Sequence, residues 1–274
     1  GRLLEGVMAP LFRVGGACSS ALALGFVGYP VGARTAIALY ENGQCSKTEA
    51  ERLLAFCNNS GPAFILAWWG LGCSPVAGWE CCSIWPSGRL HLHRHSLPFY
   101  KAGPTARREE RQSRPQFHAQ RFTTAFTGSI KNSFLSTLNI CAFVVFFTVV
   151  DSSFLVRSGF LPGLAPGAGD GCSPPFGLTP GVGPNVCLTG ALEISSGVWT
   201  LSSDGTLSGS YLAAFMLGWA GISVHCQVLS FIGGSGCPWA YLVGKLLHGG
   251  FRLFIAVWSA SSAWSAGLRL PADQ

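Results

Sequence analysis

Only 11% of the 274 residues are Asp, Glu, Lys or Arg, against roughly 25% in soluble domains, so charge cannot cover a water-facing surface here in the usual way. With 49% hydrophobic residues, nine Trp and a mean hydropathy of +0.37, the composition argues against an ordinary soluble enzyme and for an all-α polytopic membrane protein, because helices satisfy their own backbone groups in lipid. Of the 18 basic residues, nine lie between Arg89 and Lys131, where only Glu109 and Glu110 oppose them; this reads as a loop kept on the cytoplasmic side.

Arg13 and Arg34 bracket 20 residues without a charge, about the length that spans hydrocarbon. Gly25, Gly28, Pro30 and Gly32 interrupt that stretch, and proline removes a backbone donor while disfavouring helix at Tyr29. A helix is expected to enter, break at Gly28-Tyr29-Pro30 and resume toward Tyr40. Ser46-Lys47-Thr48-Glu49 carries the spacing of a capping box and launches a helix that stops at Asn58-Asn59-Ser60-Gly61-Pro62. Those polar side chains fall inside a 27-residue uncharged interval, Leu53 to Trp79, where each amide must be paired or face a cavity.

Residues 81–120 are the least membrane-like part. His91, His93 and His95 lie near Cys81 and Cys82 without any familiar zinc spacing, and no nucleic-acid module surrounds Arg107-Arg108-Glu109-Glu110-Arg111, so neither a metal site nor a nucleic-acid partner is expected. Asn132 to Val150 is the cleanest spanning segment, 19 uncharged residues. Residues 158–186 are crowded with Gly and Pro and read as a loop. A short helix is expected from Leu188 to Thr200, with Glu193 as its one charge. Gly205 to Gly244 is uncharged over 40 residues, and a new apolar start at Trp239 and a last apolar stretch from Leu253 to Leu268 follow as separate segments. About six hydrophobic segments result, some of them re-entrant. Eleven scattered cysteines, an odd number, do not form a disulfide framework.

The chain nearly repeats itself. Leu24-Gly25-Phe26-Val27-Gly28-Tyr29-Pro30-Val31-Gly32-Ala33 is echoed 193 positions later by Leu217-Gly218-Trp219-Ala220-Gly221-Ile222-Ser223-Val224-His225-Cys226, with four of ten positions identical and an aromatic at the same place. Two glycine-broken copies, one in each half, are the pattern of transporters whose half-helix ends meet at the bilayer midplane. The candidate substrate-binding residues follow from it. Gly28, Tyr29 and Pro30 free backbone groups at the break, and Arg34 offers planar donors to an anion or snorkels to headgroups. Asn58, Asn59 and Ser60 present amides and a hydroxyl at a helix end, or cap it. His225 and Gln227 stand in the 40-residue uncharged interval, where a histidine can bond a carboxylate or rest as a satisfied core group. No arranged nucleophile and base, nucleotide fingerprint or metal knuckle is present, so no enzyme, catalytic residue, metal or cofactor is expected.

These same blocks, Leu24–Arg34, Ala50–Pro62, Leu217–Val228 and Tyr241–Leu247, resemble the sporulation integral membrane proteins of endospore-forming bacteria, which carry the nucleoside-recognition or gate domain. The resemblance implies a dipicolinate-transporter-like protein made during spore formation, in the cell membrane or the membrane surrounding the forespore. Its implied partners are the lipid bilayer, a small organic anion and a second copy or other sporulation membrane proteins. The domain division that goes with it is a first gate-like repeat at 1–80, an atypical basic cytoplasmic loop at 81–131 and a second membrane half with the second repeat at 132–274. Members usually have further hydrophobic sequence before the point where this chain begins, and an apolar helix where Cys81 to Phe99 bears His and Arg. The function expected is a transporter or permease component for a small organic anion; the alternative is a non-transporting membrane scaffold in spore-envelope assembly.

Overall fold

A computed structural model of the chain describes residues 14–25, 27–61, 64–65, 122–156, 184–201, 207–233 and 238–265. The basic run before residue 122, the histidines 91, 93 and 95 with Cys81 and Cys82, and the Gly/Pro-rich 157–183 lie outside the described residues. Every regular element among those described is helical. A 3-10 turn (Gly16–Cys18) leads into α1 (Ser19–Gly25), then α2 (Val31–Glu41), α3 (Lys47–Phe56), α4 (Phe122–Val150, ending in the π-helical turn Asp151–Val156), α5 (Pro184–Leu192), α6 (Ile194–Leu201), α7 (Leu207–Trp219), α8 (Gly221–Ile232) and α9 (Pro238–Ser265). Three stretches among them are long and apolar enough to cross a membrane: Phe126–Ser153, Leu207–Ile232 and Pro238–Ser261.

Both echoed segments contain a helix interruption, of different extent: 27–30 falls between α1 and α2, and Ala220 alone between α7 and α8. The first separates α1 from α2, with Gly28 at φ 138°; the second separates α7 from α8, with Ala220 at φ 81° and Gly221 at φ 83°. Gly28 and Gly221 are aligned in the two copies, and only glycine takes such a backbone without a steric cost. Polar signals act locally as read. Ser46 accepts from the Glu49 amide while the Glu49 carboxylate accepts from the Ser46 amide, and this capping box starts α3.

Packing is close because small residues face one another. A β-carbon added at Gly218 of α7 would lie 2.5 Å from the Gly249 Cα of α9, so these helices cross backbone to backbone, as small residues permit in membranes. Gly244 of α9 sits similarly against Ala55 of α3. The result is a buried core of Leu53, Leu54, Cys57, Met216, Leu217, Val228 and Tyr241. The outside is strongly apolar, with Phe134, Val145, Phe146, Phe254, Trp239 and Trp258 all exposed. A surface of that kind suits lipid rather than water.

Two expectations are corrected. The segments beginning at Trp239 and Leu253 are one continuous 28-residue helix, α9. Lys245, His248 and Arg252 made it read as two, but their spacing puts all three on one face, where they are buried. The single helix expected from Leu188 to Thr200 instead begins at Pro184 and is interrupted at Glu193, whose carboxylate accepts from the Ser196 amide and so caps a new helix, α6.

Candidate functional site

The two interruptions meet. Leu217 lies two residues before the end of α7, where helix carbonyls lack an intrahelical partner. Its carbonyl accepts from the Tyr29 hydroxyl at 2.9 Å and from Ser60 Oγ at 3.2 Å. Tyr29 and Ser60 are themselves 2.9 Å apart. A side chain in the first break thus closes on the backbone freed at the second, across 188 positions of sequence. The chain after α3 is drawn into the same place, since a β-carbon on Gly28 would lie 3.4 Å from the Gly61 amide.

A second layer forms around Tyr241 of α9. Its buried hydroxyl accepts from Asn58 Nδ2 at 3.3 Å and lies 2.9 Å from His225 Nδ1. The His225 ring is edge-on to Tyr241 and also to Trp219, whose centroid is 4.4 Å away. One turn along α9, Lys245 donates to the Asn58 carbonyl at 2.8 Å, and its ammonium lies 5.0 Å from the Tyr29 ring centroid, within cation–π range. Lys245 is 1% exposed. Buried Asn58 Oδ1 and His225 Nε2 have no hydrogen-bond partner among the described residues. Each such atom costs about 1–3 kcal/mol, a cost that a polar ligand bonded to it would relieve.

Tyr29, Asn58, Ser60 and His225 are therefore drawn into one connected cluster. Gly28 and Pro30 shape its backbone, and Asn59 is buried beside it in sequence. Gln227 is buried but its amide bonds Ser223 on its own helix at 3.4 Å. Arg34 stands elsewhere: it is exposed, donates to Ser136 of α4 and lies 5.8 Å from the Phe231 ring centroid. The cation within the cluster is Lys245, which the sequence reading did not select, together with Tyr241. Their signal was present in the spacing of Lys245, His248 and Arg252, which marks a single polar stripe on a long apolar helix.

No family model and no solved structure matches the chain. Among curated proteins it is 27% identical over 279 aligned residues to the sporulation integral membrane protein YlbJ of Bacillus subtilis (strain 168), covering 91% of this chain and 65% of that protein. The chain is a distant relative of a sporulation membrane protein. It spans just under two thirds of that relative's length. The relationship and the three membrane-length helices together support an integral membrane location, with the lipid bilayer as surroundings.

Proposed function

We propose that the protein is a non-enzymatic membrane transporter or permease component for a small organic anion, with dipicolinate as the substrate during spore formation, in the cell membrane or the membrane around the forespore. The observation that carries this reading is the hydrogen bond from Tyr29 in one helix break to the Leu217 carbonyl at the other. In transporters, discontinuous helices place freed backbone groups around a substrate in this way. The two breaks are taken as gate-like repeats within 1–80 and 132–274, joined through the basic cytoplasmic 81–131. Gly28, Tyr29, Pro30, Asn58, Asn59 and Ser60 line the first side of the site, and His225 and Gln227 belong to the second. Lys245 supplies the positive charge that an anion requires, while the unpartnered His225 Nε2 gives it a donor. Arg34, on the outer face, attracts the anion before it enters.

The test is uptake of radiolabelled dipicolinate by proteoliposomes containing the purified chain. The expected result is flux above that of empty vesicles, lowered at least tenfold by Lys245→Met and reduced by Asn59→Ala. Wild-type flux equal to that of empty vesicles overturns the proposal and favours a scaffold in spore-envelope assembly, with a second copy or other sporulation membrane proteins as partners.

A further inference from the structure

The outer face of α9 is bounded at both ends by tryptophan. Trp239 is 71% exposed and Trp258 63%. Between them Val243, Leu246, Gly250, Phe254 and Val257 continue the exposed face at steps of three or four, the spacing of one side of a helix. Among these described residues no polar side chain is exposed between the two tryptophans, because Tyr241, Lys245, His248 and Arg252 are all buried on the opposite side. The sequence changes character at the same two points. Pro238 opens the helix just before Trp239, and Ser259, Ser261 and Ser262 follow Trp258.

A tryptophan ring is large and apolar but carries one N–H donor, so it favours the boundary where acyl chains meet headgroups. Two exposed rings on one helix face mark two such boundaries only if their separation fits a bilayer. Trp239 and Trp258 are 19 positions apart, about 28 Å at the helical rise, and a tilt of about 20° shortens this only to about 27 Å. The hydrocarbon core is about 30 Å thick. A second helix gives the same measure from charge instead of aromatic residues. Lys131 and Asp151, at the end of α4, bracket 19 uncharged residues, which place the two charges about 30 Å apart. A protein partner on the outer face would require neither spacing.

We propose that Trp239 and Trp258 sit at the two lipid–water interfaces, and that the Tyr29–Tyr241 cluster extends from the bilayer midplane toward the Trp239 side. The midpoint between the tryptophans falls at His248-Gly249. Gly218 crosses α9 at that level, since a β-carbon there would lie 2.5 Å from the Gly249 Cα and 2.8 Å from the His248 carbonyl oxygen. The adjacent residue, Leu217, is the acceptor for Tyr29 and Ser60, so the two breaks meet in the middle of the hydrocarbon. Along the α9 backbone Lys245 lies about 9 Å inside the Trp239 interface and Tyr241 about 3 Å inside it. Asn58 and His225, which share the Tyr241 hydroxyl, form the layer nearer that interface. An anion arriving from the Trp239 side meets this layer before Lys245. That order rests on the function proposed above; the depth of the tryptophans does not.

Quenching of tryptophan fluorescence by brominated phosphatidylcholine tests the placement, with the full chain in vesicles whose bromine lies either just below the headgroups or near the acyl-chain ends. The difference between wild type and Trp239→Phe, and between wild type and Trp258→Phe, isolates each ring. Each should be quenched at least twofold more by the shallow bromine than by the deep one. The fluorescence added by Leu246→Trp, on the same face but well inside the slab, should show the reverse order. Quenching of either native ring that is no stronger with shallow bromine, or a Leu246→Trp signal quenched mainly by shallow bromine, overturns the proposal. If a variant fails to reconstitute, the wild type decides. Its unfolding temperature across lipids of increasing chain length should peak where the hydrocarbon is about 28 Å thick and fall on both sides, because mismatch is costly; a temperature independent of thickness overturns the proposal. Neither readout involves dipicolinate, so absent flux would sink the transport reading alone, and flux with misplaced tryptophans would sink only the depth assignment.

Discussion

Gly218→Ala should destabilise the fold through a single added methyl. Its β-carbon would meet Gly249 Cα at 2.5 Å, the Gly249 amide nitrogen at 2.7 Å and the His248 carbonyl oxygen at 2.8 Å, where ordinary contact is 3.4–4 Å. All three are backbone atoms, so no rotamer change relieves the clash and α7 must move about 1 Å from α9. Overpacking of a close interior costs typically about 1–3 kcal/mol, and the rigid contact puts this case at the upper end. Alanine recovers about 0.8–1 kcal/mol of helix propensity, leaving a net loss of about 2 kcal/mol. Gly250→Ala is the control, because a β-carbon there has nothing within 4 Å and should stabilise by about 0.5–1 kcal/mol. Gly249→Ala, whose β-carbon meets the Phe215 ring at 3.1 Å, should fall between them. Unfolding of the three variants in mixed detergent micelles, followed by far-ultraviolet circular dichroism, gives the order. Equal stability of Gly218→Ala and Gly250→Ala would refute the close crossing of α7 and α9.

Two further outcomes follow from the buried network and the thiols. Tyr241→Phe removes the hydroxyl that joins Asn58 to His225; leaving their polar atoms buried should cost about 1–3 kcal/mol, measured by the same unfolding assay, and no loss would mean that the hydroxyl is dispensable. The hydrogen bond with Cys18, then burial, pushes the Cys45 thiol well above its ordinary range, so it stays neutral at pH 8, and the thiolate is the reactive form. Iodoacetamide at that pH should leave Cys45 unmodified in the native protein and label it after denaturation, as read by peptide mass spectrometry. Labelling of the native thiol at the rate of a free cysteine would refute its burial against Cys18.

The breaks and caps were legible because they depend on neighbours in sequence. Gly28-Tyr29-Pro30 and Ser46–Glu49 each carry their own steric or hydrogen-bonding instruction. What packs against what was not legible. Arg34 follows directly on a break in sequence, while in the fold α2 turns it outward toward Ser136 and Lys245 is the buried basic residue beside the break. Reading each charge as the edge of an apolar segment cut α9 in two, since hydropathy along the chain does not say which face a charge occupies. Glu193 is the one charge of its apolar segment in sequence, but that its carboxylate caps α6 and divides it from α5 needs the folded turn. The aligned glycines show the limit from the other side: their register is visible in sequence, while the bond from Tyr29 to Leu217 appears only when the halves are together.

The buried stripe on α9 also bears on how the protein is made. Arg252 sits at the middle of that helix, where an arginine raises the cost of insertion by about 2.5–3.5 kcal/mol, and Lys245 adds to it two turns away. A segment so burdened partitions poorly into lipid by itself. In the folded chain α9 packs against α3 and α7, and both side chains are buried. The buried charges of α9 thus make its insertion easier beside α3 and α7 than alone.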